Sequence, residues 1–217
     1  MTMTQDKTIE RMPVNDEFAH PAAPEAVERT AEALRTHGFD VHVVTDGMAA
    51  RELLLSLVPE GAEVGQGASR TLDQIGVTEI IEKSGRYDAI RPRTRAMDRA
   101  TQMGEIRRLG AAPDVQINSV QAVTEDGRMV VASFSGSQLG PIVFGAGRVI
   151  LVVGSQKVVP NLATAFRRVE EYSYPIEDVK LQEAYGRRSA INKMVVLNAE
   201  LQPGRTTVIL VGEPVGV

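Results

Sequence analysis

The sequence contains no cysteine and no tryptophan, and only 4% of its residues are aromatic. The lack of cysteine excludes disulfides, cysteine-ligated zinc, a thiolate nucleophile and an iron–sulfur cluster held by this chain. With few aromatics, the core must consist of Val, Ile, Leu, Ala and Met, a composition typical of buried parallel strands covered by helices. The chain has three histidines, His20, His37 and His42, and they do not show the spacing of metal ligands. The sequence therefore predicts neither a metal site nor a bound cofactor.

Long hydrophobic runs and an excess of positive charge are also missing. No run approaches the ~18 apolar residues needed to span a bilayer. The stretch Met1–Phe18 lacks the apolar region of a secretory signal. The formal net charge of -4 disfavours attraction to nucleic acid or to an anionic membrane. We therefore expect a cytoplasmic protein that binds neither nucleic acid nor membranes.

Strand-like and helix-like segments alternate along most of the 217 residues. Residues 1–17 are polar and patternless and are predicted to be a flexible arm, and residues 18–217 are predicted to be a single domain. The alternation favours a three-layer α/β/α sandwich with a largely parallel sheet, plus a hairpin. The stretch Pro175–Arg188 is polar and is expected to be irregular. Strands are predicted within 39–45, 62–67, 114–120, 148–154 and 206–212, and helices within 21–38, 46–58, 69–76, 94–110 and 161–173.

The stretch "GQGASRTL", residues 65–72, places two glycines and hydroxyl residues between a strand and a helix. Glycines allow close approach of the backbone, and free N–H groups at the start of a helix favour a phosphate or carboxylate. The stretch lacks the lysine of a P-loop and the spacing of a dinucleotide-binding fingerprint. It is either an anion site or a glycine turn with a serine N-cap. The candidate anion-binding residues are Gly65, Gly67, Ser69, Arg70 and Thr71.

The segment "TEDG", residues 124–127, predicts a hairpin, because Asp-Gly is the commonest signal for a two-residue turn with positive φ. Asp126 and Gly127 are explained by the turn, whereas Glu125 has no role in it. A carboxylate held there could act as a base or as a nucleophile. Glu125 is therefore either a catalytic residue that faces the glycine loop or a solvated surface glutamate.

Three further candidates lie beyond predicted strands. The stretch "SGSQLGP", residues 135–141, offers Ser137 and Gln138 as ligand-binding groups, or simply turns the chain into the next strand. Lys157 follows the carboxyl end of the strand at 148–154, the edge where open α/β sheets bind ligands. A lysine in a surface loop is the alternative. Ser119, at the end of another strand, completes the set of candidate anion-binding residues.

An arginine cluster lies in "RPRTRAMDR", residues 91–99. These side chains could bind an acidic ligand, but a solvated helix face is the commoner explanation of such a run. We therefore leave them out of the candidate site: Arg91, Arg93, Arg95 and Arg99.

In order and spacing, four stretches resemble the lactate-utilisation (LUD) domain family: "GAEVGQGASRTLDQIG", "DVQINSVQAVTEDGRMV", "SGSQLGPIVFGAGRVILVVGSQKVV" and "VILVGEPVG". The resemblance covers about Pro21 to Val217. It implies the fold shared by ribose-5-phosphate isomerase, glucosamine-6-phosphate deaminase and the class I CoA-transferases. In those relatives a glycine and Ser/Thr loop binds the anionic group of the substrate, which "GQGASRTL" resembles. CoA-transferases carry their nucleophilic glutamate in a Glu-X-Gly turn, which Glu125-Asp126-Gly127 resembles.

The chain departs from the family pattern at several positions. Ser137-Gln138 stands where many members have Asn-Arg, and Gln156 stands where they have Asn before the lysine. The cysteine cluster that some members carry near the C-terminus is absent from the corresponding stretch, residues 186–194. The resemblance implies work with iron–sulfur partner proteins in the oxidation of L-lactate to pyruvate. This chain cannot carry the electrons itself.

Three functions remain open at this point. The first is a LUD-domain protein of small-carboxylate metabolism that binds an anionic substrate or acyl carrier at the C-terminal edge of the sheet. The second is a non-catalytic subunit or regulator that docks an iron–sulfur redox partner. The third is an enzyme resembling a CoA-transferase or a sugar-phosphate isomerase. In each case the ligand is a small anion, and a homo-oligomer is compatible with the sequence.

Overall fold

Parallel strands form the central layer of the molecule. A computed structural model describes residues 9–217, and the observations below concern that part of the chain. Its strands are β1 (Asp40–Val44), β2 (Glu63–Gln66), β3 (Asp88–Ala89), β4 (Val115–Asn118), β5 (Ala122–Thr124), β6 (Met129–Ser133), β7 (Arg148–Gly154), β8 (Val158–Val159), β9 (Lys193–Leu197) and β10 (Thr206–Val211). The central sheet has the order β1-β10-β7-β4-β2-β3, and each neighbouring pair in it is parallel.

Helices cover both faces of this sheet. They are α1 (Pro24–Thr36), α2 (Gly47–Leu57), α3 (Arg70–Gln74), α4 (Val77–Lys83), α5 (Ile90–Ala96), α6 (Met103–Ala111), α7 (Leu162–Arg168) and α8 (Tyr174–Tyr185). The Asp46 side chain caps α2 by accepting a hydrogen bond from the Ala49 amide at 2.9 Å, as expected for an aspartate at this position. Between residues 9 and 217, no helix combines the length and the apolarity that a membrane crossing requires.

The side chains of β7 alternate between two hydrophobic clusters. Val149 and Leu151 face the cluster that includes Leu34 of α1, whereas Ile150 and Val152 face the cluster formed by α2, α3 and α4. Because both faces of the strand are covered, its sequence is a continuous apolar run rather than an alternating one. The expected three-layer α/β/α arrangement with a largely parallel sheet is confirmed.

A second, smaller sheet has the strand order β8-β5-β6-β9. Its β5–β6 and β6–β9 pairs are antiparallel, and β5 pairs with β8 in parallel. Val123 and Met129 of this sheet join the cluster on the α1 side of the central sheet. The hairpin predicted around residue 127 is therefore present, but it belongs to this second sheet.

The turn of that hairpin differs from the expected two-residue type. Gly127, with φ of 83°, has positive φ and Asp126 does not. The Gly127 amide donates to the Thr124 carbonyl at 2.8 Å, and the Thr124 amide donates to the Arg128 carbonyl at 2.8 Å. This geometry is a three-residue loop that ends in a left-handed glycine. A Cβ at Gly127 would also lie 2.7 Å from the Ala33 carbonyl carbon, so the turn packs directly on α1.

The long helix expected over residues 94–110 is two helices, α5 and α6. The Asp98 side chain accepts hydrogen bonds from the Ala100 amide at 2.9 Å and from the Thr101 hydroxyl at 2.8 Å. These local bonds compete with helical ones and interrupt the helix. Ala96 and Ala100, which the pattern placed on the inner side, are exposed.

The expectation of irregular structure over 175–188 is wrong, because most of this stretch is the helix α8. Its sequence shows no apolar stripe, and Pro175 stands in its first turn, where proline is tolerated. Asp178 is fully buried and accepts hydrogen bonds from the Ser189 amide at 2.6 Å and from Arg188 Nε at 2.8 Å. Tertiary contacts of this kind stabilise a helix that periodicity does not reveal.

Residues 1–8 of the expected N-terminal arm lie outside the described residues. The remainder contacts the helices near the C-terminal half of the chain. The Glu10 amide donates to the Gln182 side chain at 3.0 Å, and the Asn15 amide donates to the Glu171 carbonyl at 2.9 Å. The section from residue 9 onwards is thus attached to the body of the molecule.

Candidate functional site

Lys157 lies in a short 3-10 turn directly after β7 and is 2% exposed. Its Nζ donates to Thr71 Oγ1 at 2.9 Å and to Ser119 Oγ at 2.9 Å. The Ser119 hydroxyl donates in turn to the Val152 carbonyl at 2.6 Å. The Thr71 hydroxyl lies 3.4 Å from the Val215 carbonyl, which accepts its proton. The three side chains form a buried hydrogen-bonded group.

The sheet topology explains why these residues meet. Lys157 follows β7, Ser119 follows β4, and Thr71 lies on the helix that follows β2. These strands are neighbours and parallel, so their carboxyl ends lie at the same edge of the sheet. This is the edge where open α/β sheets bind ligands.

A cavity of about 280 Å³ opens beside this group. Its lining includes the edge of the central sheet, the start of α3, and α8 with the segment that follows it. The strand β6 and the loop after it complete the lining. Pockets for drug-sized ligands measure roughly 300–1,000 Å³, so this one suits a small metabolite.

The charged side chains that line the cavity are mainly basic. Arg70 lies at the beginning of α3, and Arg187 lies beyond α8 with its guanidinium 5.2 Å from the centre of the Phe134 ring. Glu177 supplies a carboxylate to the described lining. The two guanidinium groups against this one carboxylate favour an anionic ligand.

Burial, and in second place the nearby Arg168 cation, holds the pKa of Lys157 well below its ordinary value of 10.5. Removing an ammonium group from water disfavours its charged form, and a neighbouring positive charge acts in the same direction. No carboxylate of the described residues bonds to Nζ to oppose this. The neutral amine is therefore favoured far more than for a surface lysine.

This lowered pKa makes stability depend on pH. At a pH between the folded-state pKa of Lys157 and 10.5, the unfolded chain binds a proton that the folded chain does not. The free energy of unfolding therefore rises with pH in this window. We expect the stability of Lys157→Met relative to wild type to decrease from about pH 7 to about pH 10 in urea titrations. Lys83→Met, which removes a lysine that is mostly exposed, is the matched control and should show little such trend.

The glycine loop contributes to the cavity only in part. Ser69, Arg70 and Thr71 line it, whereas Gly65 and Gly67 do not. The Gly67 amide already donates to Asn118 Oδ1 at 3.2 Å.

The cavity therefore does not include Gly65 or Gly67, which the sequence predicted as anion-binding residues. A Cβ at Gly67 would lie 2.5 Å from Asn118 Oδ1, and one at Gly65 would lie 2.9 Å from the Pro113 ring. Both glycines are needed for close packing against β4 and the loop before it. The Ser69 side chain caps α3 by accepting from the Leu72 amide at 3.3 Å, as the alternative interpretation proposed.

Ser137 and Gln138 both line the cavity. Gln138 Oε1 accepts a hydrogen bond from the Ser133 hydroxyl at 2.9 Å, and the Ser137 hydroxyl lies 3.1 Å from Ser135 Oγ. The loop thus supplies small polar groups to the same cavity as the lysine. The structure brings together seven of the ten candidate residues at the cavity: Ser69, Arg70, Thr71, Ser119, Ser137, Gln138 and Lys157.

The structure does not place Glu125 at the cavity. Its carboxylate accepts hydrogen bonds from Arg29 Nε at 3.1 Å and Arg29 Nη2 at 2.7 Å, on the outer side of α1. The expectation that Glu125 faces the glycine loop is therefore wrong. The physical reason is that the hairpin packs on α1 through Gly127, which directs the start of its loop toward that helix.

Three arginines of the cluster are paired with acidic side chains: Arg91, Arg93 and Arg95. Arg93 contacts Asp88 at 2.7 Å and Glu63 at 3.1 Å, and Arg95 contacts Glu82 at 3.4 Å. None of the cluster's arginines lines the cavity, in agreement with leaving them out of the site.

Several lining residues were missed by sequence reasoning. Glu177 and Tyr174 lie on α8, and Arg187 follows it. Because α8 carries no readable apolar stripe, nothing in its local sequence indicated that it covers a pocket. Among the described residues, no three His, Cys, Asp or Glu side chains are arranged to hold a metal ion.

The family model for the LUD domain matches residues 27–211. The chain is similar to the crystal structure of a DUF162 family protein from Deinococcus radiodurans, with 12% sequence identity and a TM-score of 0.53 over 88% of this chain and 99% of that chain. It is also similar to ribose 5 phosphate isomerase A from Neisseria gonorrhoeae, with 15% identity and a TM-score of 0.31 over 66% of this chain and 57% of that chain. No curated protein matches the sequence. The first likeness shows a shared fold.

Proposed function

The chain belongs to the LUD domain family, and from this premise we propose that it serves small-carboxylate metabolism, in lactate utilisation, by binding an anionic substrate or acyl carrier. The observation that carries the proposal is the basic cavity at the carboxyl edge of the sheet. Its described lining contains the guanidinium groups of Arg70 and Arg187 against the carboxylate of Glu177. A small organic anion matches both this charge and the cavity volume of about 280 Å³.

The geometry supports a division of labour inside the cavity. A guanidinium binds a carboxylate through two parallel N–H donors, which gives both affinity and orientation. Arg70 and Arg187 are exposed and can reach an entering anion, whereas Lys157 is buried at the inner end. A lactate-sized molecule held by its carboxylate would direct its second carbon toward the lysine. The hydroxyls of Ser135 and Ser137 are available to its oxygen substituent.

The oxidation of lactate to pyruvate releases two electrons and two protons. This chain contains no cysteine with which to hold an iron–sulfur cluster. We therefore assign electron transfer to an iron–sulfur partner protein, and binding or handling of the carboxylate to this chain. The same proposal places both proteins in the cytoplasm.

The proposal predicts that Arg70→Gln weakens binding of L-lactate and pyruvate by about tenfold or more. A hydrogen bond to a charged group contributes about 1.5–3 kcal/mol, and about 1.4 kcal/mol corresponds to a tenfold change in Kd. Isothermal titration calorimetry of the purified chain measures the affinity directly. The loss should shrink as salt is added, because screening reduces the attraction between exposed charges.

Arg107→Gln is the matched control for this experiment. Arg107 is exposed on α6 and does not line the cavity, so its variant removes the same charge at a remote place. Equal affinities of wild type, Arg70→Gln and Arg107→Gln would show that the cavity does not bind the carboxylate through Arg70. Absence of binding to any of lactate, pyruvate, CoA and ribose 5-phosphate would refute the proposed function.

A further inference from the structure

The hydrogen bonds of Lys157 satisfy both N–H groups of a neutral amine. An ammonium group has three N–H donors, whereas a neutral amine has two donors and one lone pair. Nζ has two acceptors, the hydroxyl oxygens of Thr71 and Ser119, each at 2.9 Å. In the neutral form both N–H groups are satisfied, and the lone pair is left for the cavity that Lys157 lines.

The surroundings of Lys157 support this reading. The cation that contributes to the low pKa of Lys157 is Arg168, which is fully buried. The other charged side chains that share its cavity are Arg70, Glu177 and Arg187. Burial of the amine and the preponderance of positive charge both disfavour an ammonium ion. A desolvated lysine beside another cationic group is an activated nucleophile toward carbonyl compounds.

We propose that Lys157 forms a Schiff base with the carbonyl carbon of a small 2-oxo acid bound in the cavity. This inference rests on the proposed function, since it uses the same site and the same class of carboxylate. The basic side chains would hold the carboxylate, which places the adjacent carbonyl at the inner end of the cavity beside Nζ. A 2-hydroxy acid such as lactate has no carbonyl at this carbon and can bind without forming the bond.

The reaction requires no oxidant or reductant. The lone pair of Nζ attacks the carbonyl carbon, and the π electrons of the C=O bond move to the oxygen. A proton passes from the nitrogen to this oxygen, giving a carbinolamine. A second proton, from solvent, allows the oxygen to leave as water, and the nitrogen lone pair forms the C=N bond of a protonated Schiff base. Thr71 and Ser119, each 2.9 Å from Nζ, are positioned to relay these protons.

Borohydride trapping tests the proposal. The purified chain is incubated separately with pyruvate and with glyoxylate, treated with sodium borohydride to reduce any C=N bond, digested and mapped by mass spectrometry. We expect a reduced adduct on Lys157 and its loss in Lys157→Arg. The other lysines act as internal controls for non-specific reaction with the carbonyl: Lys7, Lys83, Lys180 and Lys193.

The possible results separate this inference from the proposed function. Binding of L-lactate by calorimetry, together with no adduct on wild-type Lys157 from either 2-oxo acid, would overturn the Schiff base and leave the proposed function intact. Adducts spread evenly over the lysines would overturn it as well. Because mapping of the wild-type chain decides both outcomes, the test does not depend on the folding of a variant. Absence of binding by lactate, pyruvate and glyoxylate alike would remove both proposals.

Discussion

Arg168→Ala should lower the free energy of unfolding by about 3–5 kcal/mol, because each buried polar group left unsatisfied costs about 1–3 kcal/mol. The guanidinium is fully buried and donates to the carbonyl of Gln156 at 3.1 Å, to the carbonyl of Gln121 and to Ser173 Oγ at 3.2 Å. Truncation leaves these acceptors without the donor that the guanidinium supplies. Urea unfolding followed by circular dichroism measures the change.

Arg167→Ala provides a control one residue away on α7. Arg167 is largely exposed and forms an ion pair with Glu171 at 2.8 Å. Exposed pairs of this type contribute little to stability, so this variant should unfold close to the wild-type urea midpoint. Equal losses in the two variants would mean that the buried hydrogen bonds of Arg168 do not account for the effect.

Arg168 also connects the core to the site. It bonds to the carbonyl of Gln156, the residue before the lysine, and its charge contributes to the low pKa of Lys157. Burial lowers the pKa of Arg168 itself to about 10, although Tyr172 acts in the opposite direction. Arg168 therefore stays charged at neutral pH while Lys157 is driven toward the neutral form.

The central sheet could be predicted because its strands carry their signal locally. The stretch at 148–154 is apolar without interruption, as a strand buried on both faces requires, and the helices between the strands begin at recognisable caps such as Asp46. The helix α8 carried no such signal, because its stability depends on contacts made by Asp178 with distant residues. The strand β9, which pairs with β6, was also missed.

The meeting of the candidate residues could be predicted where it depends on the parallel sheet. Lys157 and Ser119 each follow a strand, and parallel topology alone brings such positions to one edge. Glu125 could not be placed this way, because it belongs to a hairpin whose packing against α1 is decided by long-range contacts. The sequence could not show that the Gly67 amide is already bonded to Asn118. For this reason it predicted Gly67 as an anion-binding residue.

Gly154→Ala should destabilise the chain by about 1–3 kcal/mol, the usual range for an added methyl group that a packed interior cannot accommodate. Gly154 ends β7, three residues before Lys157. A Cβ there would lie 2.6 Å from the Val215 amide nitrogen and 2.9 Å from the Val215 carbonyl oxygen, and closer still to Gln156 Oε1. Backbone φ of -70° is normal for alanine, so the cost arises from contact rather than strain. Urea unfolding measures the loss.

The added methyl group of Gly154→Ala would displace Gln156 and Val215, whose segments hold Lys157 in place. The variant should therefore also weaken binding of pyruvate in the fraction that remains folded. Val215 accepts hydrogen bonds from Gln156 at 2.9 Å and from Thr71 at 3.4 Å, and Thr71 is a partner of Lys157. Gly104→Ala is the control with the opposite expected sign. Its Cβ would meet nothing within 4 Å on the exposed face of α6, so alanine should stabilise that helix by about 0.5–1 kcal/mol and leave affinity unchanged. A folded Gly154→Ala chain with wild-type stability and affinity would show that the end of β7 adapts without moving the lysine.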